Sequence, residues 1–97
     1  MDRNRVLEAI YAALDVINLQ LPSSRRLPRA PATVIVGPGG ALDSLGVVNF
    51  VLALEEKIGD AIGRPVQLLD PELLALEQGP FRTVDTLATH VSALASP

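Results

Sequence analysis

The sequence predicts a small all-α domain, a four-helix bundle of three longer helices and a short third helix, with a long loop between helices 1 and 2. Apolar residues recur at three- and four-residue spacing in three separate stretches, which is the period of one helix face. Prolines fall between those stretches and not within them. Because 97 residues suit one hydrophobic core, we expect residues 1–97 to form a single domain.

The first helix is predicted over residues 4–21. Asp2 or Asn4 can cap its start, and Pro22 ends it because the residue before a proline is pushed out of helical geometry. Its apolar residues share one face and are Val6, Leu7, Ile10, Leu14, Ile17 and Leu21.

Residues 22–43 are predicted to form a long loop, because four prolines interrupt them and three glycines lie near their end. Residues 33–36 are β-branched enough for a strand, but no other stretch of the sequence offers it a partner. We therefore expect an extended segment that places Val34 and Val36 on the core. A loop of this length in a small domain tends to be functional.

The second helix is predicted from residue 44 to about residue 58, and Gly59 or Gly63 can stop it. The short third helix begins at Asp70-Pro71-Glu72, which combines an N-cap, a first-turn proline and a first-turn acid. We expect it to run to about Glu77.

The fourth helix is predicted to begin after Thr83 as its N-cap, with Asp85 near its positive end. His90 falls on the polar side of this helix, where we expect it at the surface. The residues that share the apolar face are Val84, Leu87, Ala88, Val91 and Leu94.

Composition excludes several classes of function. The chain has no cysteine, so disulfides, thiolate metal sites and cysteine nucleophiles are ruled out. A single histidine, His90, is too little for a histidine-rich metal site or an ordinary Ser-His-Asp triad. Three aromatic residues and a net charge of −3 argue against nucleic-acid binding.

The N-terminal residues are charged and no apolar run follows that would suit a signal peptide. No stretch reaches the roughly 18 apolar residues of a membrane span, so we expect a cytoplasmic protein without a membrane partner.

Charge is unevenly placed: residues 43–97 are acidic, whereas residues 1–42 carry five arginines against three acids. The acidic half suits either a basic protein partner or solubility alone. We expect Arg25, Arg26 and Arg29 to be solvated and to temper this acidity.

The most informative segment is residues 39–46, in which a glycine-rich stretch leads into Asp43 and Ser44. A helix that opens at Ser44 has unpaired N–H groups and a partial positive charge at that end, which accommodate a phosphate. An exposed serine there is well placed to carry a phosphate ester. The alternative is that Asp43 or Ser44 is only the N-cap of the helix.

The second helix has two apolar stripes. Five residues form the core-facing stripe: Val47, Phe50, Val51, Leu54 and Ile58. Leu45, Val48 and Leu52 form another, centred roughly 140° away at 100° per residue. One helix of a small bundle does not bury both against the same core. The second stripe is therefore either a protein contact surface or covered by loop 22–43.

The run from Asp43 to Glu56, Asp-Ser-Leu-Gly-Val-Val-Asn-Phe-Val-Leu-Ala-Leu-Glu-Glu, resembles the attachment motif and recognition helix of acyl carrier proteins. The run Phe81-Arg82-Thr83-Val84 followed by Leu87 is similar to the lead-in to that family's fourth helix. The helix order and the long first loop also fit, so the resemblance covers essentially the whole chain and implies the four-helix acyl-carrier fold.

The resemblance implies that Ser44 receives 4′-phosphopantetheine from coenzyme A by the action of a phosphopantetheinyl transferase, and that Asp43 belongs to the surface the transferase reads. The arm would carry acyl groups as thioesters to acyl-loading and acyl-processing enzymes, while the carrier itself is a non-catalytic monomer. The family's partner-facing positions on this helix are occupied here by Leu45, Val48, Asn49, Leu52, Glu55 and Glu56.

Two residues depart from the family pattern: Asn49 stands where an acid is common, and Gly46 where an acidic or polar residue is common. We therefore expect a specialised carrier in fatty-acid, polyketide or related biosynthesis. The alternatives are a peptidyl or aminoacyl carrier and a carrier-like interaction module that is never loaded. Two enzymatic alternatives do not fit the sequence. A phosphate-binding loop needs a lysine directly before Ser44, which is absent, and a hydrolase nucleophile elbow needs glycine where Leu42 stands.

Overall fold

The computed structural model describes residues 2–37, 40, 42–75 and 79–94. Its helices are α1 (Arg3–Asn18), α2 (Ser44–Ile62), α3 (Pro71–Leu74) and α4 (Val84–Leu94), with a short 3₁₀ turn at Ser23–Arg25. The predicted helical class is confirmed. The predicted four-helix count is not met within these ranges, because only three helices are longer than a single turn and α3 is one turn of 4 residues. The predicted end of α3 near Glu77 lies outside the described residues.

The start of α1 follows from Asp2, whose side-chain Oδ1 accepts a hydrogen bond from the backbone N–H of Arg5 (2.9 Å). The helix ends at Asn18, a turn earlier than the prediction of Leu21. Asn18 exchanges two hydrogen bonds with the backbone of Leu27, at 2.9 and 2.8 Å. These bonds bring the loop back across the end of α1. The end predicted from Pro22 alone does not take this long-range contact into account.

α2 runs past the predicted end at residue 58 and past Gly59. It stops at Gly63, which has a φ of 74°, a left-handed conformation that glycine adopts without steric cost. Gly59 has another role: a Cβ there would lie 3.2 Å from the carbonyl oxygen of Arg64, so glycine lets the chain turn back closely after the helix. The predicted core stripe of α2 is buried throughout.

Residues 33–36 do find a partner, contrary to the prediction. Val34 forms an isolated antiparallel bridge with Thr83. The N–H of Ile35 donates to the carbonyl oxygen of Arg82 (2.6 Å). The segment that leads into α4 therefore satisfies backbone groups that would otherwise lack partners, although no sheet forms among the described residues.

The most deeply buried residues of this segment differ from the predicted pair Val34 and Val36, although Val36 does pack against the edge of the core. Ile35 is 1% exposed and Thr33 is buried, whereas Val34 and Val36 are half-buried. Alternate residues of an extended segment point to opposite sides, so the bridge fixes which pair faces inward. The buried Thr33 hydroxyl is satisfied because it donates to the carbonyl oxygen of Pro28 (2.7 Å).

α4 begins as predicted, because the backbone N–H of Thr86 donates to the Thr83 hydroxyl (3.1 Å) and the Thr86 hydroxyl accepts from the Thr83 N–H (3.0 Å). α1 packs against both α2 and α4. His90 is half-buried, and its ring meets that of Phe81 edge-on at 5.7 Å. His90 therefore lies at the surface only in part, with the ring of Phe81 beside it.

None of the helices within the described ranges is long and apolar enough to cross a bilayer.

Candidate functional site

The site is built at the first turn of α2. Asp43 has extended backbone geometry, and its Oδ1 accepts a hydrogen bond from the N–H of Gly46 (2.7 Å). Asp43 is therefore the N-cap, and Ser44 is the first residue of the helix. The Ser44 side chain is exposed, and its hydroxyl has no hydrogen-bond partner among the described residues. The cap needs only one of the two residues, so the Ser44 hydroxyl is left available to solvent.

A cavity of about 440 Å³ opens beside Ser44, between the start of α2 and α3. We call it the Ser44 cavity. Its walls are mostly apolar, and they are contributed by Val36, Gly37, Leu42, Asp43, Ser44, Val47, Val48, Pro71, Leu74 and Ala75. Of these, the sequence interpretation assigned a role in the site only to Asp43, Ser44 and Val48. The others come from three separate parts of the chain, which only the fold brings together.

The second stripe of α2 is divided by the structure. Leu45 is 69% exposed and Leu52 is 47% exposed, so the described part of loop 22–43 does not cover them. Val48 is half-buried, because it forms part of the wall of the Ser44 cavity. Large exposed apolar side chains on one helix face are typical of a protein contact surface.

Glu55 and Glu56 occupy different environments although they are adjacent. Glu55 is half-buried, and its Oε2 accepts hydrogen bonds from the backbone N–H groups of Leu68 (2.5 Å) and Leu69 (2.9 Å). Glu56 is exposed, and Asn49 is half-buried. Sequence reasoning missed the structural role of Glu55, since the N–H groups it binds lie more than ten residues away in a stretch without regular structure.

The bonds of Glu55 help to position the wall of the Ser44 cavity. Leu68 is buried, and just beyond it the Asp70 Oδ1 accepts from the N–H of Glu72 (3.0 Å). α3 begins at Pro71. A carboxylate on α2 thus fixes the segment that delivers α3 to the side of Ser44.

Arg29, one of the arginines that the sequence predicted to be solvated, is instead paired with a residue of α1. Arg29 forms an ion pair with Asp15 on α1, and its guanidinium lies 5.8 Å from the centre of the Tyr11 ring. The hydrogen bond from Arg29, together with its charge, lowers the pKa of the Asp15 carboxyl, and the same pair raises the pKa of Arg29. Arg29 therefore joins the loop to α1.

Comparison of the chain with protein-family models, with curated proteins and with solved structures finds no match. Function is therefore inferred from the motif and from the geometry of the site.

Proposed function

We propose that this chain is an acyl carrier protein that bears a 4′-phosphopantetheine arm on Ser44. The observation that carries the proposal is the exposed Ser44 hydroxyl at the head of α2, in an Asp-Ser-Leu sequence whose cap is supplied by Asp43. An exposed serine that is not needed for capping is free to be esterified without loss of the helix.

The residues around Ser44 fit a phosphodiester at the helix start and an apolar acyl chain beside it. The first turn of α2 presents backbone N–H groups and the positive end of the helix dipole, which favour a phosphate. The Ser44 cavity adds apolar walls from Val47, Val48 and Leu74, against which the start of an acyl chain can lie. When attached, the arm supplies a thiol that holds acyl groups as thioesters.

The role of the protein itself is to tether and present. A flexible arm on Ser44 raises the effective concentration of its cargo at a partner's active site. Leu45 and Leu52, exposed on the same face of α2, provide apolar contact for the phosphopantetheinyl transferase and for acyl-loading and acyl-processing enzymes. We include in this proposal the finer description of the fold as a four-helix bundle of acyl-carrier type with a short third helix.

Asn49 and Gly46 make the start of α2 less acidic than is common in acyl carrier proteins. Gly46 also suits its surroundings here, because a Cβ would lie 3.2 Å from both Asp43 Oδ1 and Leu42 Cδ2. Both residues support a carrier for a dedicated fatty-acid, polyketide or related pathway. A cytoplasmic location is a further part of the proposal.

The absence of cysteine makes a direct test possible. The full chain is incubated with coenzyme A, magnesium and a broad-specificity phosphopantetheinyl transferase, then separated from small molecules and titrated with a thiol reagent. The proposal predicts that one thiol per chain appears, and peptide mapping places the added mass on Ser44. If no thiol appears, the chain is a carrier-shaped interaction module instead.

A further inference from the structure

One wall of the Ser44 cavity is a single helical turn. α3 has only 4 residues, and Pro71, Leu74 and Ala75 line the cavity from this turn and from the residue after it. The chain reaches α3 through residues 65–70, which have no regular secondary structure. Isolated helices this short are not stable in water, so the contacts around α3 determine where this wall lies.

Glu55 is the polar attachment of the segment that leads into α3. Within the described part of the chain, the hydrogen bonds of residues 65–69 both run to its Oε2 atom, from the N–H groups of Leu68 and Leu69. Leu68 is buried, and Leu69 packs against the edge of the core. The carboxylate therefore fixes two consecutive residues just before α3 begins at Pro71.

Glu55 belongs to the helix that forms the other wall of the cavity. Val47 and Val48 line the cavity from α2, and Leu54, the residue before Glu55, is fully buried. α2 is continuous from its first residue, Ser44, to its end. One helix therefore carries both the proposed attachment site and the carboxylate that positions the opposite wall, so the width of the cavity depends on Glu55.

We infer that Glu55 is a positioning residue that sets how tightly the Ser44 cavity holds an apolar acyl chain. This inference rests on the proposed function, because it concerns the cargo of the arm on Ser44. An acyl chain that touches both walls is removed from water, and even a small gap between packed atoms forfeits much of their attraction. The family resemblance places Glu55 among the partner-facing residues, whereas the role inferred here serves the cargo through α3.

The test uses the unmodified full chain, labelled with ¹⁵N, and S-hexanoyl-N-acetylcysteamine as the probe, a small thioester that imitates the end of a loaded arm. The probe should shift the backbone amide signals of Val47, Val48 and Ala75, which line the cavity. The matched probe S-acetyl-N-acetylcysteamine lacks four methylene groups. It should bind at least about tenfold more weakly, because each buried methylene group contributes to affinity.

Variants make the test specific for Glu55. Glu55→Ala should raise the dissociation constant of the hexanoyl probe at least about fourfold, the factor that corresponds to one methylene group losing its contact. Glu55→Gln should raise it less, because the amide oxygen still accepts hydrogen bonds from Leu68 and Leu69. Asp60→Ala is the control for charge, because it removes an exposed carboxylate from the same helix. Asp2→Ala is the control for stability, because it removes the N-cap of α1. Both controls should bind the probe as the wild type does.

The inference is overturned if the hexanoyl probe leaves the amides of the cavity unshifted, if the two probes bind equally, or if Glu55→Ala binds the hexanoyl probe as the wild type does. It is also overturned if either control variant weakens binding as much as Glu55→Ala. Because the assay needs no arm on Ser44, it is independent of the thiol test. Binding that depends on Glu55 without thiol formation would refute the carrier function and leave the role of Glu55 in place, whereas thiol formation without this dependence would do the reverse.

Discussion

The Oε2 atom of Glu55 lies 2.9 Å from the backbone nitrogen of Leu69, so a carboxylate on α2 holds the segment that leads into α3. The neighbouring bond to Leu68 uses the same oxygen atom. Hydrogen bonds from backbone N–H groups to an ionised carboxylate are stronger than those between neutral groups. Glu55 therefore acts on the Ser44 cavity indirectly, through the position of α3.

Replacing Glu55 with alanine should lower the free energy of unfolding by about 1–3 kcal/mol, because two partly buried N–H groups lose their acceptor. Hydrogen exchange should speed up at the amides of Leu68 and Leu69 before it does in the core of α2. The matched variant Glu56→Ala removes an exposed carboxylate and should change stability by less than about 0.5 kcal/mol. Equal losses in the two variants would show that the bonds of Glu55 contribute little.

Asp43 has two candidate roles, as the N-cap of α2 and as a charge that the transferase recognises, and two substitutions separate them. Asp43→Asn keeps a good N-cap and removes the charge, whereas Asp43→Ala removes the cap and should cost about 0.5–2 kcal/mol. If the transferase reads the charge of Asp43, Asp43→Asn should lower the kcat/KM of loading while the Tm stays near that of the wild type. Loading of Asp43→Asn at the wild-type rate would instead assign Asp43 to capping alone.

Leu52 tests whether the exposed stripe of α2 serves partners. Leu52→Glu should leave the Tm nearly unchanged, because this side chain is 47% exposed, and should lower the kcat/KM of the transferase because it removes apolar contact. Glu56→Gln, one turn further along α2, should have a smaller effect, mainly on association rate and salt dependence. A larger loss for Glu56→Gln would mean that recognition is chiefly electrostatic.

Substitutions at two other positions of α2 are unsuitable for this comparison. Val48→Asp would place a charge in the wall of the Ser44 cavity, and Glu55→Gln would weaken the bonds to Leu68 and Leu69. Both would perturb the structure near Ser44 as well as the surface, so Leu52 and Glu56 make the cleaner pair.

The ion pair between Asp15 and Arg29 should make a small, pH-dependent contribution to stability. The pKa of Asp15 in the folded protein is lowered from its ordinary value of 3.8, so the contribution is present above that value and is lost as the pH falls below it. Asp15→Asn should be slightly less stable than the wild type in denaturant unfolding at neutral pH, and the difference should vanish in strong acid. A difference that persists in acid would point to a role of the side chain other than its charge.

The sequence is informative about the fold wherever the cause is local. The apolar stripe of α2 and the cap Thr83 could be predicted, and the cap of α1 could be narrowed to Asp2 or Asn4, because each depends on residues within a turn or two. The end of α1 and the inward face of Ile35 could not be predicted, because they depend on hydrogen bonds to Leu27 and Arg82 that the tertiary fold creates.

The same division applies to the site. The local pattern at the head of α2 predicts that a helix begins at Ser44, but it leaves open whether Asp43 is the cap and whether Leu45 is exposed. The wall of the Ser44 cavity depends on α3, whose position requires Glu55 to bind backbone groups distant in sequence. The side chains of Leu42 and Leu74 carry no local signal that they meet there.

The central claim, that Ser44 carries the arm, is tested most directly by intact mass after incubation with transferase and coenzyme A. The wild type and Ser24→Ala, which alters another exposed serine, should each gain the mass of one phosphopantetheine. Ser44→Ala should fold with an unchanged Tm and gain no mass. A wild-type protein that stays unmodified, or a Ser44→Ala protein that is modified, would contradict the account.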